Sequence, residues 1–248
     1  MPLKGFFEEN RSVAIAFSGG VDSAYLLYAA KQYAQQVKAY YVQTDFQPQF
    51  ELEDAKRMAA ALQVPLQILQ VDILCDALVA ANPWDRCFHC KKKLFSQILQ
   101  AARADGFTVL LDGTNASDEA ADRPGMRVLT ELSIRSPLRE CGLTKEVIRQ
   151  LSKAAGLFTH DKPAYACLAT RIPTGETITR EKLQRTEKAE AYLHGLGCRD
   201  FRIRSRDDVA ILQLRAQDLP LALSHRADIV EKLKTDYTSV LLDLEVRA

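Results

Sequence analysis

Ala16-Phe17-Ser18-Gly19-Gly20-Val21-Asp22-Ser23 gathers the residue types that hold a phosphate. A short alternating apolar run, Val13–Phe17, leads into it, and a helical pattern, Val21–Tyr28, leaves it. A strand, a glycine turn and a helix start make an anion cradle of unsatisfied backbone N–H groups at the positive end of a helix dipole. Gly19 and Gly20 let the backbone come close to an oxyanion. Ser18 and Ser23 add hydroxyl donors. Asp22 repels phosphate but holds a magnesium ion that bridges phosphate oxygens. No lysine stands where the G-x-x-x-x-G-K-[ST] loop carries one.

Cys87-Phe88-His89-Cys90 is the second chemistry-bearing stretch. It lies between the loop 82–86 and a helix expected to begin near Lys91. A helix N-terminus and the neighbouring Arg86, Lys91 and Lys92 favour thiolate, the form that ligates metal or attacks as a nucleophile. No second C-x-x-C follows, which excludes a four-cysteine zinc ribbon. Cys167, flanked by Lys162 and Arg171, is the natural third partner. Three thiolates suit a 4Fe-4S cluster with one open iron. A zinc site completed by His160 and a set of thiols without metal are the other readings. Cys75, Cys141 and Cys198 have no partner spacing and read as buried small apolar residues.

The elements that must position these residues alternate. Strand signals fall at Val13–Phe17, Val37–Gln43, Leu66–Val71 and Thr108–Leu111. Helical patterns lie at Ser23–Tyr33, Glu51–Leu62 and Lys91–Ala104. Such alternation predicts an α/β fold, a parallel sheet with helices on both faces. Ligands of these folds sit at the carboxyl ends of strands. Ser18-Gly19-Gly20, Thr44-Asp45 and Asp112-Gly113-Thr114-Asn115 therefore line one crevice, and Thr44 and Gly113 join the expected nucleotide contacts. Lys145–Ala155 reads as a helix capped by Thr144 and stopped at Gly156. After a turn-rich linker, 161–175, the pattern becomes a smaller α+β domain. It has a helix Arg180–Leu196, strands Phe201–Arg204 and Val209–Leu214, a helix Leu221–Lys234 and a strand Ser239–Val246. The expected boundaries are 1–170 and 171–248. Arg202 and Arg204 share one face of their strand. Their guanidinium groups suit a phosphate, or they form a solvated basic face. Trp84, the single tryptophan, either gates the nucleotide pocket or packs.

Composition narrows the function classes. The 248 residues can bury a sizeable core, and 47% hydrophobic with 26% charged residues is ordinary for a globular protein. Lys and Arg total 33 against 32 Asp and Glu, a net charge of +1, so no basic excess argues for nucleic-acid binding. No apolar run approaches a membrane span and no signal-peptide core stands at the N-terminus. A cytoplasmic protein is expected, with thiols or metal ligands rather than disulfides.

The phosphate loop resembles the SGGxDS loop of the PP-loop ATP pyrophosphatases, which split ATP into AMP and pyrophosphate. Over nearly the whole chain the sequence resembles the LarE family of ATP-dependent sulfur transferases. The resemblance rests on the loop at 18–23, 86–91, Asp112–Asp118, Asp122-Arg123-Pro124-Gly125, Ser136-Pro137-Leu138, Lys162-Pro163, Ala166–Pro173, Glu190 and Arg202-Ile203-Arg204. It implies an adenine nucleotide alpha hydrolase-like domain that uses ATP and Mg2+. It implies adenylation of the carboxylates of a pyridinium-3,5-dicarboxylate mononucleotide and their conversion to thiocarboxylates for the nickel-pincer nucleotide, the cofactor of lactate racemase. Some family members take the sulfur from a single cysteine at the position of Cys167. Others carry three cysteines and a 4Fe-4S cluster, and Cys87, Cys90 and Cys167 place this chain with them. The resemblance assigns Arg202 and Arg204, with Arg247, to the substrate phosphate. It places Glu190 in a metal-binding carboxylate set, in which Gln213 stands for another acidic member. It implies a homo-oligomer, a hexamer, and partner proteins of cofactor biosynthesis. Two other readings stand beside it: a PP-loop tRNA thiolase with a 4Fe-4S cluster, and a non-catalytic nucleotide- and redox-sensing module.

Overall fold

The computed structural model describes residues 3–118 and 124–247. Asp122 and Arg123 of the family-like stretch lie outside the described residues. In chain order the elements begin α1 (Leu3–Glu9), β1 (Ser12–Ala16), α2 (Val21–Tyr33), β2 (Gln36–Gln43), α3 (Gln49–Ala61) and β3 (Leu66–Gln70). Then come α4 (Ala77–Ala80), α5 (Arg86–Ala104), β4 (Leu110–Leu111), α6 (Pro124–Glu131), α7 (Pro137–Glu140) and α8 (Lys145–Ala154). A 3-10 turn at Leu168–Arg171 precedes α9 (Arg180–Gly195), β5 (Arg202–Arg206), β6 (Val209–Gln213), α10 (Leu219–Ser224), α11 (Arg226–Leu233) and β7 (Ser239–Leu242). The chain divides into two compact units, one of residues 1–73 and 85–165, the other of 74–84 and 166–248.

The first unit is built on a parallel sheet in the order β3-β2-β1-β4. Side chains alternate across it as the pleat requires. Val13, Ile15, Ala39 and Tyr41 face one way, against Phe6, Leu26, Leu27, Leu138 and Ile148. Ala14, Tyr40 and Val42 face the other way, against Ile98, Ala102, Phe107 and Leu129. Both faces are thus covered, which is why the strands read as nearly continuous apolar runs. The neighbours β2, β1 and β4 run parallel, so the turns after them emerge at one edge of the sheet.

The second unit has a small sheet in the order β5-β6-β7, antiparallel between β5 and β6 and parallel between β6 and β7. α9 and α11 cover it through Ala189, Leu193, Ile229 and Leu233, which pack on Ile203, Ala210 and Leu212. The 74–84 segment belongs here. Gly175 N–H donates to Asn82 O at 2.8 Å, Ile178 N–H to Ala80 O at 2.8 Å, and the Asn82 amide to Pro173 O at 2.7 Å.

Several elements differ from the sequence expectation. α5 begins at Arg86, so Cys87-Phe88-His89-Cys90 forms its first turn rather than a loop before it. The helix expected over 221–234 is two pieces that meet at His225. β7 ends at Leu242, short of Val246.

Candidate functional site

The loop after β1 turns on Gly19, whose φ of 74° is a left-handed conformation that costs a side chain strain. A Cβ there would also stand 3.3 Å from Ala55 Cβ and from Glu51 O. Gly20 has an ordinary φ of −78° and is the N-cap of α2. The two serines are tied to each other. Ser18 Oγ and Ser23 Oγ lie 3.1 Å apart, Ser23 Oγ donates to Gly20 O at 3.2 Å, and Ser18 N–H donates to Ser23 Oγ at 3.3 Å. The first-turn N–H groups of α2 lack helical acceptors and make the cradle.

The turn after β4 presses on this cradle. A Cβ on Gly113 would sit 2.9 Å from Ser23 N, so only glycine lets the two turns touch. Asp112 beside it is buried and accepts from Ser136 Oγ and Thr114 Oγ1, each at 2.5 Å. Burial pushes its carboxyl above the ordinary value, against the pull of those hydrogen bonds. Thr44, after β2, is buried, and its hydroxyl holds its own turn by donating to Gln47 Oε1 at 2.7 Å and accepting from Phe46 N–H at 3.0 Å.

Asp22 is the acidic member of the loop. Its Oδ2 accepts from Lys145 Nζ at 2.5 Å. Its Oδ1 is buried without a hydrogen-bond partner among the described residues. An orphaned carboxylate oxygen at a phosphate cradle suits a magnesium ion brought in with a nucleotide. Lys162 reaches the other side of the loop, 2.7 Å from Asp54 Oδ2 and 3.5 Å from Gly19 O. Nothing local to Lys145 marks it as a site residue; it and Asp22 are 123 residues apart.

All six cysteines are thiols. Cys87 is exposed and Cys90 half-buried, three residues apart on the first turn of α5. Arg86 places a guanidinium nitrogen 3.7 Å from Cys87 Sγ. Cys141 is half-buried and Cys198 buried, and burial pushes both thiols up. Cys75 departs from expectation: it is exposed. Among the described residues no three His, Cys, Asp or Glu side chains form a group able to hold a metal ion.

In the second unit, Cys167 opens the 3-10 turn at Leu168–Arg171. Its carbonyl accepts from Thr170 Oγ1 at 2.8 Å. Arg171 is fully buried and makes a two-pronged pair with Glu190, Nε to Oε1 at 2.7 Å and Nη2 to Oε2 at 3.0 Å. Glu190 Oε1 also accepts from Ile203 N–H at 3.0 Å. The carboxylate expected in a metal set is thus engaged by an arginine and the sheet. Arg204 donates to Thr170 O at 2.6 Å and to Gln213 Oε1 at 2.8 Å, and Gln213 donates on to Asp243. Arg202 is 8% exposed, which excludes a solvated basic face. Burial, then the like charges of Arg171 and Arg247, lower the proton affinity of both Arg202 and Arg204. Arg247 carries a buried Nε with no partner among the described residues. Arg171, Arg202, Arg204 and Arg247 thus outnumber the neighbouring carboxylates Glu190 and Asp200. Trp84 is 78% exposed, so it does not pack in the core.

The sequence model of the asparagine synthase family matches residues 7–194. An uncharacterized protein of Synechocystis is 37% identical over 219 residues, 88% of this chain and 81% of that one. Pyridinium-3,5-bisthiocarboxylic acid mononucleotide synthase of Lactiplantibacillus plantarum is 31% identical over 214 residues, 86% of this chain and 78% of that enzyme. The chain belongs to the LarE family of PP-loop proteins. The tRNA-specific 2-thiouridylase of Clostridium perfringens is 27% identical over 61% of this chain and 53% of its own length, a more distant PP-loop relation than LarE. The LarE match spans both units, whereas the asparagine synthase match stops within α9. No helix among the described residues is long and apolar enough to cross a membrane.

Proposed function

We propose that this chain is an ATP-dependent sulfur transferase that adenylates carboxylates of a pyridinium-3,5-dicarboxylate mononucleotide and converts them to thiocarboxylates. The observation that carries it is the hydrogen bond from Arg204 to Thr170 O, in the 3-10 turn that Cys167 opens, within a group of arginines whose charge suits a substrate phosphate. Mg-ATP binds the cradle at Ser18, Gly19, Gly20 and Ser23, with Gly113 and the Thr44 turn beside it. A substrate carboxylate oxygen bonds to the α-phosphorus, the bond to the bridging oxygen breaks, and pyrophosphate leaves with the electron pair. The backbone donors and serine hydroxyls hold the departing charge, and Asp22 would hold the magnesium brought in with the nucleotide. Adenylation is needed because a carboxylate has no leaving group. A sulfur nucleophile then bonds to the acyl carbon, and AMP leaves with the bonding pair. Arg202, Arg204 and Arg247 hold the mononucleotide phosphate meanwhile.

Cys87, Cys90 and Cys167 are the proposed sulfur-handling set. Their donor chemistry fits a 4Fe-4S cluster with one open iron, which would supply a labile sulfide. A second reading rests on Cys167 itself, a half-buried thiol that opens the 3-10 turn. In it the Cys167 thiolate attacks the acyl carbon, the thioester loses the Cys167 α-proton, and the Cβ–S bond breaks. The products are a thiocarboxylate and dehydroalanine at position 167. In either reading the chain works in the cytoplasm as a homo-oligomer, a hexamer, supplied and relieved by partner proteins of cofactor biosynthesis, without nucleic acid or membrane.

The test is anaerobic incubation with Mg-ATP and the dicarboxylate mononucleotide. Pyrophosphate, AMP and a thiocarboxylate are expected together. Equal turnover on tRNA, or no pyrophosphate with the mononucleotide, overturns the proposal. Iron and sulfide counts on the same preparation separate the donors. A chain lighter by about 34 Da after one turnover, the mass of hydrogen sulfide, marks Cys167 as the source.

A further inference from the structure

Two lysines flank the phosphate cradle, and each is held by a carboxylate. Lys145, at the start of α8, pairs with Asp22 at 2.5 Å while its side chain stays 33% exposed. Its backbone N–H donates to Ser117 Oγ at 3.0 Å, so the turn after β4 fixes where α8 begins. Lys162 pairs with Asp54 at 2.7 Å and lies 5.5 Å from the centre of the Phe50 ring. Arg149 stands one turn after Lys145 on α8. It donates to His160 O and Lys162 O, both at 2.8 Å, and so staples the segment that carries Lys162. One helix thereby governs the cations on both sides of the loop.

Neither pair is buried deeply enough to be a permanent structural bond. Asp22 and Asp54 keep 21% and 29% of their side chains exposed, and such partly hydrated pairs contribute little to stability. Asp22 also leaves its second oxygen unsatisfied. A divalent cation competes for Asp22, and a triphosphate competes for both ammonium groups.

We propose that Lys145 and Lys162 are triphosphate-binding cations parked on Asp22 and Asp54, which release them when Mg-ATP arrives, and that Arg149 positions Lys162. This rests on the nucleotide reading of the loop and goes beyond it. The P-loop lysine is absent from this motif; these two, delivered from distant sequence, supply its charge. Lys145 comes from the same helix as Arg149, so the supply is coordinated. The exchange keeps the ATP-free loop near neutral and makes the site select for the charge of the β- and γ-phosphates rather than for adenosine.

The experiment compares affinities of the full chain for Mg2+ with the non-cleavable α,β-methylene analogue of ATP and for AMP. Lys145→Gln and Lys162→Gln are each expected to weaken the analogue about ten- to a hundredfold, as loss of a charge-assisted phosphate contact does, and to leave AMP within about twofold. Lys145→Arg and Lys162→Arg should recover most of the loss. Arg149→Ala should copy Lys162→Gln. Asp54→Asn, which frees Lys162, should tighten the analogue severalfold, a gain that a structural role does not produce. Equal loss of analogue and AMP, no loss of either, or no gain from Asp54→Asn overturns the lysine assignment. A wild-type chain that binds neither ligand overturns the nucleotide reading itself. Circular dichroism melts accompany each variant; where a Gln variant unfolds, the Arg variant and Asp54→Asn decide.

Discussion

Replacing Arg171 by methionine tests whether Glu190 is a structural anion or a metal ligand. Arg171 is fully buried, and its Glu190 partner retains 7% side-chain exposure. The guanidinium also donates to Ala166 O at 2.7 Å and Thr170 Oγ1 at 2.9 Å. Methionine keeps much of the volume and removes all these donors, so Glu190 stays buried with its main countercharge gone. Breaking a buried pair in this way costs about 3–5 kcal/mol, because the remaining charge is desolvated without compensation. For a unit of this size each kcal/mol moves the melting temperature by about 4–8 °C, so the shift should exceed about 12 °C. Thermal melts followed by circular dichroism read the shift, and urea titration reads the free energy. The double variant Arg171→Met/Glu190→Leu should regain much of the loss, since well-packed apolar pairs often replace buried ion pairs at little cost. Glu190→Gln should also destabilise, by stranding the Arg171 charge. A loss below about 1 kcal/mol for Arg171→Met would show that Glu190 is not paired as described. A Glu190→Gln protein of unchanged stability that loses bound metal would return Glu190 to a carboxylate site.

Gly113→Ala should abolish pyrophosphate release and cost about 1–3 kcal/mol of stability, because its Cβ meets the Ser23 backbone at 2.9 Å; an active, stable variant would contradict that contact. Iodoacetamide with mass mapping should label the exposed Cys75 and Cys87 first and Cys198 last; early labelling of Cys198 would contradict its burial. Asp112 is raised above its ordinary 3.8, so the folded state holds this proton more tightly than the unfolded chain. Its contribution to stability must therefore fall as pH climbs through the ordinary value and level off above the folded one. Measured against Asp112→Asn, wild-type stability should decline over that window in acid titrations, and a rise would reverse the assignment.

The strand-glycine-helix unit was legible because it is local: an apolar run, a turn and a helix start follow one another in sequence. The alternation of strand and helix patterns over residues 13–111 likewise announced a parallel sheet covered on both faces. The start of α5 was not legible. Its N-cap Asp85 makes no capping hydrogen bond and instead lies 3.2 Å from His89 Nε2, so the usual acidic signature points to the wrong partner. The break at His225 carries neither glycine nor proline. Arg202 read as one of a pair on a strand face, and only the fold shows that α9 and its Glu190 bury that strand's backbone. Lys145 was invisible as a site residue because a lysine at the start of an amphipathic helix is ordinary. Its role comes from a partner 123 positions away.

The membership of residues 74–84 in the second unit bears on how the protein is made. The ribosome delivers this segment long before the rest of its unit, which begins at Ala166 and runs to the end of the chain. At about 5–20 residues per second, the segment waits roughly 5–19 s for Ile178, whose N–H bonds to Ala80 O, to be synthesised. During that interval Val79, fully buried in the finished protein, has no completed core to enter, and Asn82 lacks Pro173 and Gly175. The nascent chain thus carries an uncovered apolar turn during that interval. A gene fragment cut at residue 165 would carry the same defect permanently, and one beginning at 166 would lack the missing piece. Neither fragment holds the whole of the second unit.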